Sequence, residues 1–281
     1  MTSSVHKLPL AVFVLGSGAA SNFLVRDGRT LHAHRAFMNA LDGRARLLVV
    51  EKVGVSFGRQ PERPGTAIGS SEEFRREHTF ERWVAATTAA RTLDGVDPTR
   101  TLIVGHSEGA LVAASVAARN AFVTHVACLA GGSATQLFSF LQEARLRRLE
   151  SFGATPDEQV ANLLKQWREI VLHAGDPNRM WLGHAYPRWA TFMRRSELEE
   201  LQRTKARIFI AIGSEDGVDA AASVDLLYAT LLSKGQDVTA VLVPGANHGF
   251  QFAADKTRDG WTEILQRASE WFAARPDMRS R

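Results

Sequence analysis

The sequence has one cysteine, Cys128, among 281 residues. A single thiol forms no internal disulfide and offers no cysteine pair for a structural zinc site. Its segment, HVACLAG, reads as a buried strand, in which the thiol packs as a small apolar group. Long apolar runs are also missing: none approaches the roughly 20 residues that a membrane-spanning helix requires, so no membrane partner is expected. One-signed charge is scarce, with 34 Lys+Arg against 30 Asp+Glu and a net charge of +4. The densest basic group, Arg145, Arg147 and Arg148, alternates with Leu141, Leu146 and Leu149 as a solvated helix face does. Without a basic stripe or a nucleic-acid motif, no nucleic-acid partner is expected. Gly16-Ser17-Gly18 lacks the third glycine and the later acidic residue of a dinucleotide fingerprint, and no phosphate-loop lysine follows. His32 and His34 have no obvious acidic partner for a metal. Neither metal nor cofactor is expected.

What is present is the balance of a globular protein with a sizeable core: 45% hydrophobic and 23% charged residues. Six short apolar or β-branched runs stand out, at Ala11–Leu15, Leu47–Val50, Thr101–Val104, His125–Leu129, Arg207–Ile212 and Val238–Val243. Most are continuously apolar, which suits parallel strands covered on both faces. Helical patterns separate them, at Leu31–Leu41, Glu72–Leu93, Glu108–Ala118 and Ala220–Ser233, with a last one at Trp261–Ala274. Alternation of this kind predicts a doubly wound α/β fold around a mainly parallel six-stranded sheet. The opening HKLPLAVFVLGSGAASN imitates a signal peptide. Read instead as a strand and glycine loop of the core, it leaves the chain cytoplasmic.

Between the fourth and fifth strands lie about 75 residues, far more than one crossover helix needs. TPDEQVANLLKQW carries Thr155 as N-cap, Pro156 at the first helical position and Glu158 closing a capping box. A further helix is expected from Gln136 to Glu150. The spacing predicts a helical insertion over residues 133–202 on a core made of residues 1–132 and 203–281. Near its end, MWLGHAYPRWATF brings Trp181, Tyr186, Trp189 and Phe192 together. These aromatics read equally as core between insertion helices or as substrate contacts, since ligand sites are largely apolar and favour such junctions.

The chemistry centres on Gly105-His106-Ser107-Glu108-Gly109, after an apolar run and before a run of small helix formers. G-x-S-x-G in that context places the serine on a sharp strand-to-helix turn. Side chains at the flanking glycines would collide there, and the first amides of the helix point at whatever the serine attacks. A serine hydroxyl needs a base, and the base an orienting acid. Of the nine histidines only His248, in VLVPGANHGF, follows the fifth strand. Asp216, in IFIAIGSEDGVD, follows that strand by a Gly213 turn, with Glu215 and Asp219 as competing carboxylates. Ser107, Asp216 and His248 thus each fall beyond a strand's carboxyl end, where ligands gather in parallel sheets. Serine, aspartate, histidine is also the chain order this architecture uses.

On these residues the chain resembles the α/β-hydrolases over nearly all its length apart from the insertion. GHSEGA, EKVGVSFG and GSEDGVD are similar to bacterial serine hydrolases grouped near dienelactone hydrolases, acyl-CoA thioesterases and prolyl-oligopeptidase-like enzymes. The resemblance implies a core lacking the family's first two strands, with the insertion as lid. It implies an oxyanion loop at Leu15-Gly16-Ser17-Gly18, where Leu15 stands in place of the family's histidine. The amides of Ser17 and Glu108 are then the oxyanion donors, and Gly16 and Gly18 lie at the substrate pocket with Trp181, Tyr186 and Trp189.

The expected function is cofactor-free hydrolysis of a small-molecule carboxylic ester or thioester through an acyl-enzyme on Ser107. Hydrolysis of small peptides or amides by the same three residues is the alternative within enzymes, and a small-molecule-binding protein that kept the pocket is the alternative outside them. His106 reads as packing behind the turn. The Glu108 side chain is expected in a salt bridge. Glu51 and Lys52, in EKVGVSFGR, read as solvated charges on a turn, with substrate contact as the second reading.

Overall fold

Leu8–Val14 forms β1, a strand buried from Leu10 onward and paired on both sides within the sheet. The structure is a computed structural model and describes residues 7–76, 80–132, 134–217 and 221–274. After β1 come a hairpin, β2 (Phe23–Arg26) and β3 (Arg29–His32), then α1 (Arg35–Leu41), β4 (Arg46–Val49), α2 (Glu72–Arg76) and α3 (Glu81–Ala90). β5 (Val96–His106) leads into α4 (Glu108–Arg119), and β6 (His125–Leu129) follows. Between β6 and the next sheet strand lie α5 (Gln136–Arg145), α6 (Pro156–Leu172), the short pair β7 (Met180–Trp181) and β8 (His184–Ala185), α7 (Tyr186–Phe192) and α8 (Glu197–Arg203). β9 (Arg207–Gly213), α9 (Ala221–Ser233), β10 (Val238–Val243) and α10 (Gly260–Ala273) complete the described chain.

Six strands pair in the order β10-β9-β6-β5-β1-β4, every pair parallel. The continuous apolar runs follow from that burial, because alternate residues serve opposite faces. Leu10, Val12, Ile103 and Val126 pack on the layer of α3 and α4, whereas Ala11, Phe13, Val104 and Ala127 pack on α1 and α10. Ala110, Ala113, Ala114 and Ala117 are all buried, so α4 can lie close on the sheet. Cys128 is fully buried on the same face, and burial pushes its thiol well above the ordinary range. From β1 the chain runs outward to β4 at one edge and returns to β5 on β1's other side. That reversal opens a crevice at the carboxyl ends of β1 and β5, the usual ligand position in such sheets.

Three expectations on element boundaries change. The helix expected over Leu31–Leu41 begins only at Arg35, because Asp27 (φ 51°) and Gly28 (φ 70°) make a tight turn that folds the preceding residues into the β2–β3 hairpin. Both central φ angles are positive, as in the primed turns that match strand twist. The pattern over Glu72–Leu93 divides into α2 and α3, with residues 77–79 outside the described part. α5 stops at Arg145, and Arg147 then adopts φ 62°. The start of the helical pattern at Ala220 and the first insertion residue, Ser133, also lie outside the described residues. α6 starts as expected, with Pro156 in its first turn and both bonds of the Thr155–Glu158 capping box formed. Among the described residues no helix is long and apolar enough to cross a membrane.

Candidate active site

β5 ends at His106 and α4 begins at Glu108, which leaves Ser107 alone to turn strand into helix. Its backbone sits at φ 57°, ψ −125°, a conformation that costs a non-glycine residue about 1–3 kcal/mol. The surroundings hold it there. The Ser107 N–H donates to the Leu129 carbonyl of β6 at 2.8 Å, and the Ser107 carbonyl accepts from the Ala110 N–H at 2.9 Å. A Cβ at Gly105 would run into the Gly109 carbonyl, and a Cβ at Gly109 into the Val14 carbonyl. The glycines at both ends of the motif are therefore required by close backbone approach.

Two later loops bring an imidazole and a carboxylate to the hydroxyl. Past β9, the Ser214 N–H bonds the Val243 carbonyl and the Glu215 N–H bonds the Ala246 carbonyl, locking this loop to the one after β10. Glu215 is exposed, while Asp216 turns inward with its side chain 1% exposed. Asp219 lies outside the described residues. Past β10, the Asn247 side chain accepts from the Gly249 and Gln251 N–H groups and shapes the turn that carries His248. His248 Nδ1 lies 2.9 and 3.0 Å from the two Asp216 oxygens, and Nε2 lies 2.8 Å from Ser107 Oγ. A carboxylate facing Nδ1 only accepts, so Nδ1 carries the proton and Nε2 is left to accept from the serine hydroxyl. An alcohol, a neutral imidazole and a carboxylate in hydrogen-bonded series can move a proton off the alcohol as it attacks.

His106 packs behind this series, as expected. Its Nε2 lies 2.9 Å from the His248 carbonyl oxygen, which only accepts, so Nε2 carries the ring proton. Burial pushes its pKa down to about 4 and keeps the ring neutral. Its ring also meets the Trp261 ring edge-on at 5.0 Å between centroids.

The loop after β1 reaches the turn from the other side. A Cβ at Gly16 would stand 3.3 Å from both the His106 carbonyl and Ser107 Cβ, and Gly18 has φ 94° against Gly65. Lys52 holds this loop. Its ammonium donates to the Gly16 carbonyl and, at 3.0 Å, to the Gly18 carbonyl. It also lies 3.6 Å from Glu108 Oε1, with side chains only 11% and 10% exposed. Glu108 Oε2 accepts from Arg188 Nε at 2.7 Å, and the Arg188 side chain is 3% exposed. The expected Glu108 salt bridge is thus present, with a lysine and an arginine. The reading of Glu51 and Lys52 as solvated charges is corrected: Lys52 is buried in this cluster, and Glu51 bonds Ser21 and Asn22. A signal existed in the sequence only as a lysine two residues past an expected parallel strand, at the end where sites form. Burial holds the Lys52 pKa down, with Glu108 opposing it. His184, beside the cluster, is driven to about 3 by burial first and by Arg188 next.

Two small cavities flank Glu108, of about 50 and 30 Å³. Ser107, Leu111 and Gln136 border the first, and Lys52, Phe80 and Trp83 the second; Phe192 borders both. Trp181, Tyr186 and Trp189, expected as pocket residues, line neither. They pack with one another and with Phe140 and Ile170 in a cluster separate from the main core, because α6 and α7 need an apolar seam of their own. Gly16 and Gly18 are also absent from both linings, and Leu15 borders the second cavity in their stead. What the glycines permit is the close approach of their loop to the serine turn. Among the described residues no cluster of histidine, cysteine and carboxylate side chains could hold a metal.

A family model described as "Alpha/beta hydrolase family" matches residues 12–259. No curated protein matches the sequence. Among solved structures, Est1E from Butyrivibrio proteoclasticus with bound ferulic acid is similar at a TM-score of 0.56 and 17% identity, over 95% of this chain and 88% of that one. The meta-cleavage product hydrolase CumD from Pseudomonas fluorescens IP01 gives a TM-score of 0.53 at 16% identity, over 96% and 92% of the two chains. An acylaminoacyl peptidase from Pyrococcus horikoshii gives 0.60 at 16% identity, over 96% of this chain and 38% of the other. At these identities the likeness to solved structures is one of fold.

Proposed function

The chain belongs to the alpha/beta hydrolase family, and from that premise we propose that it is a serine hydrolase cleaving a carboxylic ester or thioester through an acyl-enzyme on Ser107. The observation that carries this reading is the hydrogen-bonded series Ser107–His248–Asp216, with His248 Nε2 at 2.8 Å from the hydroxyl. Ser107 Oγ attacks the acyl carbonyl while His248 Nε2 takes its proton. Asp216 holds the imidazole and stabilises the imidazolium that forms. The amides of Ser17 and Glu108 receive the tetrahedral oxyanion. His248 then returns the proton to the departing alkoxide or thiolate, and the acyl group stays on Ser107. A water, deprotonated by His248, releases the acid by the same steps in reverse. Each oxyanion donor contributes about 2.7–4 kcal/mol to lowering the barrier. The helical insertion over the cavities acts as the lid, and its residues set which acyl group enters.

Incubation with a fluorophosphonate probe followed by peptide mapping tests the reading. Label on Ser107, and a fall of about 10⁶-fold in p-nitrophenyl ester turnover for Ser107→Ala, are the expected results. Label on another residue, or full turnover by Ser107→Ala, would overturn it. A panel of acyl esters, acyl thioesters and aminoacyl amides separates the ester and thioester reading from peptide or amide hydrolysis. Binding of small molecules with no labelling at all would favour a non-catalytic binding protein.

A further inference from the structure

We propose that Lys52 is a positioning residue that sets both halves of the oxyanion-binding site, by drawing the Gly16 and Gly18 carbonyls and the Glu108 carboxylate onto one ammonium. The inference rests on the serine-hydrolase reading and adds to it a role for Lys52 of EKVGVSFG, which the sequence had left as a solvated charge.

A lysine ammonium has three donors and no acceptor. Here three acceptors face it: the carbonyls of Gly16 and Gly18 and the Glu108 carboxylate. Burying such a charge costs several kcal/mol unless it is paired and bonded, so a purely structural role could be filled more cheaply by an apolar side chain. The geometry gives the charge a task. In a trans peptide the C=O and the N–H point to opposite sides. Holding the Gly16 carbonyl on Lys52 therefore turns the Ser17 N–H away from Lys52, and the second bond, to Gly18, brackets Ser17 from its other side. Leu15, standing in place of the family's histidine, brings no polar group to this loop, and Lys52, three residues beyond β4, supplies its anchor.

The other donor is reached through a side chain. Glu108 supplies an amide at the first turn of α4 and its carboxylate to Lys52 and Arg188. One cation thus ties the loop after β1 to the turn after β5, and Arg188 carries the tie onward to α7 of the insertion. Glu51 adds a second carboxylate acting on Lys52, and burial keeps His184 neutral, so the cluster's task is to hold the backbone in place rather than to supply net charge.

The experiment compares the full-length protein with Lys52→Met and Lys52→Arg. It measures kcat/KM for an activated ester, inhibition by the trifluoromethyl ketone of the same acyl group, and inhibition by an ether analogue that lacks the carbonyl. The ketone adds to the serine and places an oxyanion in the site; the ether occupies the pocket without one. For Lys52→Met, kcat/KM is expected to fall about 10²-fold, the effect of losing one oxyanion donor. The ketone inhibition constant should rise by the same factor and the ether constant stay within about twofold. Lys52→Arg keeps the charge, covers the case that Lys52→Met does not fold, and should fall between wild type and Lys52→Met on the same line of kcat/KM against ketone affinity. Unchanged kcat/KM, or equal losses for ketone and ether, would overturn the inference. A wild-type protein that fails to label at Ser107 instead sinks the serine-hydrolase reading, so the two failures are told apart.

Discussion

Ser107 and Glu108 are neighbours in the chain, yet their side chains enter two sites of opposite character. Ser107 joins a hydrogen-bonded series, the proposed proton relay, that ends in a carboxylate, with partners on the loops after β9 and β10. Glu108 joins a static ion cluster that ends in two cations, with partners after β4 and on α7. In the proposed reaction the first passes a proton, whereas the second is given no proton to pass. One helix start can serve both because its backbone turns consecutive side chains to different walls of the same crevice.

The difference can be broken from either side. The largest effect is expected on the relay: Asp216→Asn keeps its shape and puts an amide where Nδ1 needs an acceptor, lowering kcat by about 10⁴-fold. Steady-state ester hydrolysis checks this, with a melting temperature that moves little. On the cluster side, Arg188→Met takes one cation from the Glu108 carboxylate and so removes a partner from a pair of this kind, at about 3–5 kcal/mol of stability. Urea unfolding should show that loss, while Ser107 still takes the fluorophosphonate label.

The smallest effect concerns acid. His184 is neutral in the folded chain because burial and Arg188 hold its pKa at about 3, against 6.5 ordinarily. The unfolded chain therefore binds the extra proton between those values, so stability drops as pH falls from 6.5 toward 3, at up to about 1.4 kcal/mol per pH unit. His106 and His125, both pushed to about 4, add to the slope down to that pH. His184→Asn should flatten the slope of unfolding free energy against pH by one proton's share. Arg188→Met should flatten it partly, since a neighbouring positive charge is gone.

The relay was legible in the sequence for a reason that does not extend to the cluster. A nucleophilic serine must have a base and the base an acid, and parallel strands deliver all three at one edge, so Ser107, Asp216 and His248 could be named from chain order. The six strands were equally open, because burial on both faces writes itself as continuous apolar runs. Lys52 and Arg188 obey no such rule. A buried ion cluster is defined only by mutual proximity, and residues 52, 108 and 188 meet through loop shapes that spacing does not encode. The aromatic run at Trp181–Phe192 shows the same limit: its residues divide between an internal seam and the cavity walls, and only packing sorts Phe192 from Trp189. The Asp27-Gly28 turn was different, since its signal stood in the sequence and a helical periodicity over the next residues masked it.

His106 carries a last consequence. Its ring holds the carbonyl of His248, and its own backbone directly precedes Ser107. The proposed base and nucleophile therefore share one local reference point, and a drift of the loop after β10 drags on the strand that ends beside the serine. The spacing between the two reacting atoms is then gauged by one residue placed beside them, and it need not be relayed through the rest of the sheet.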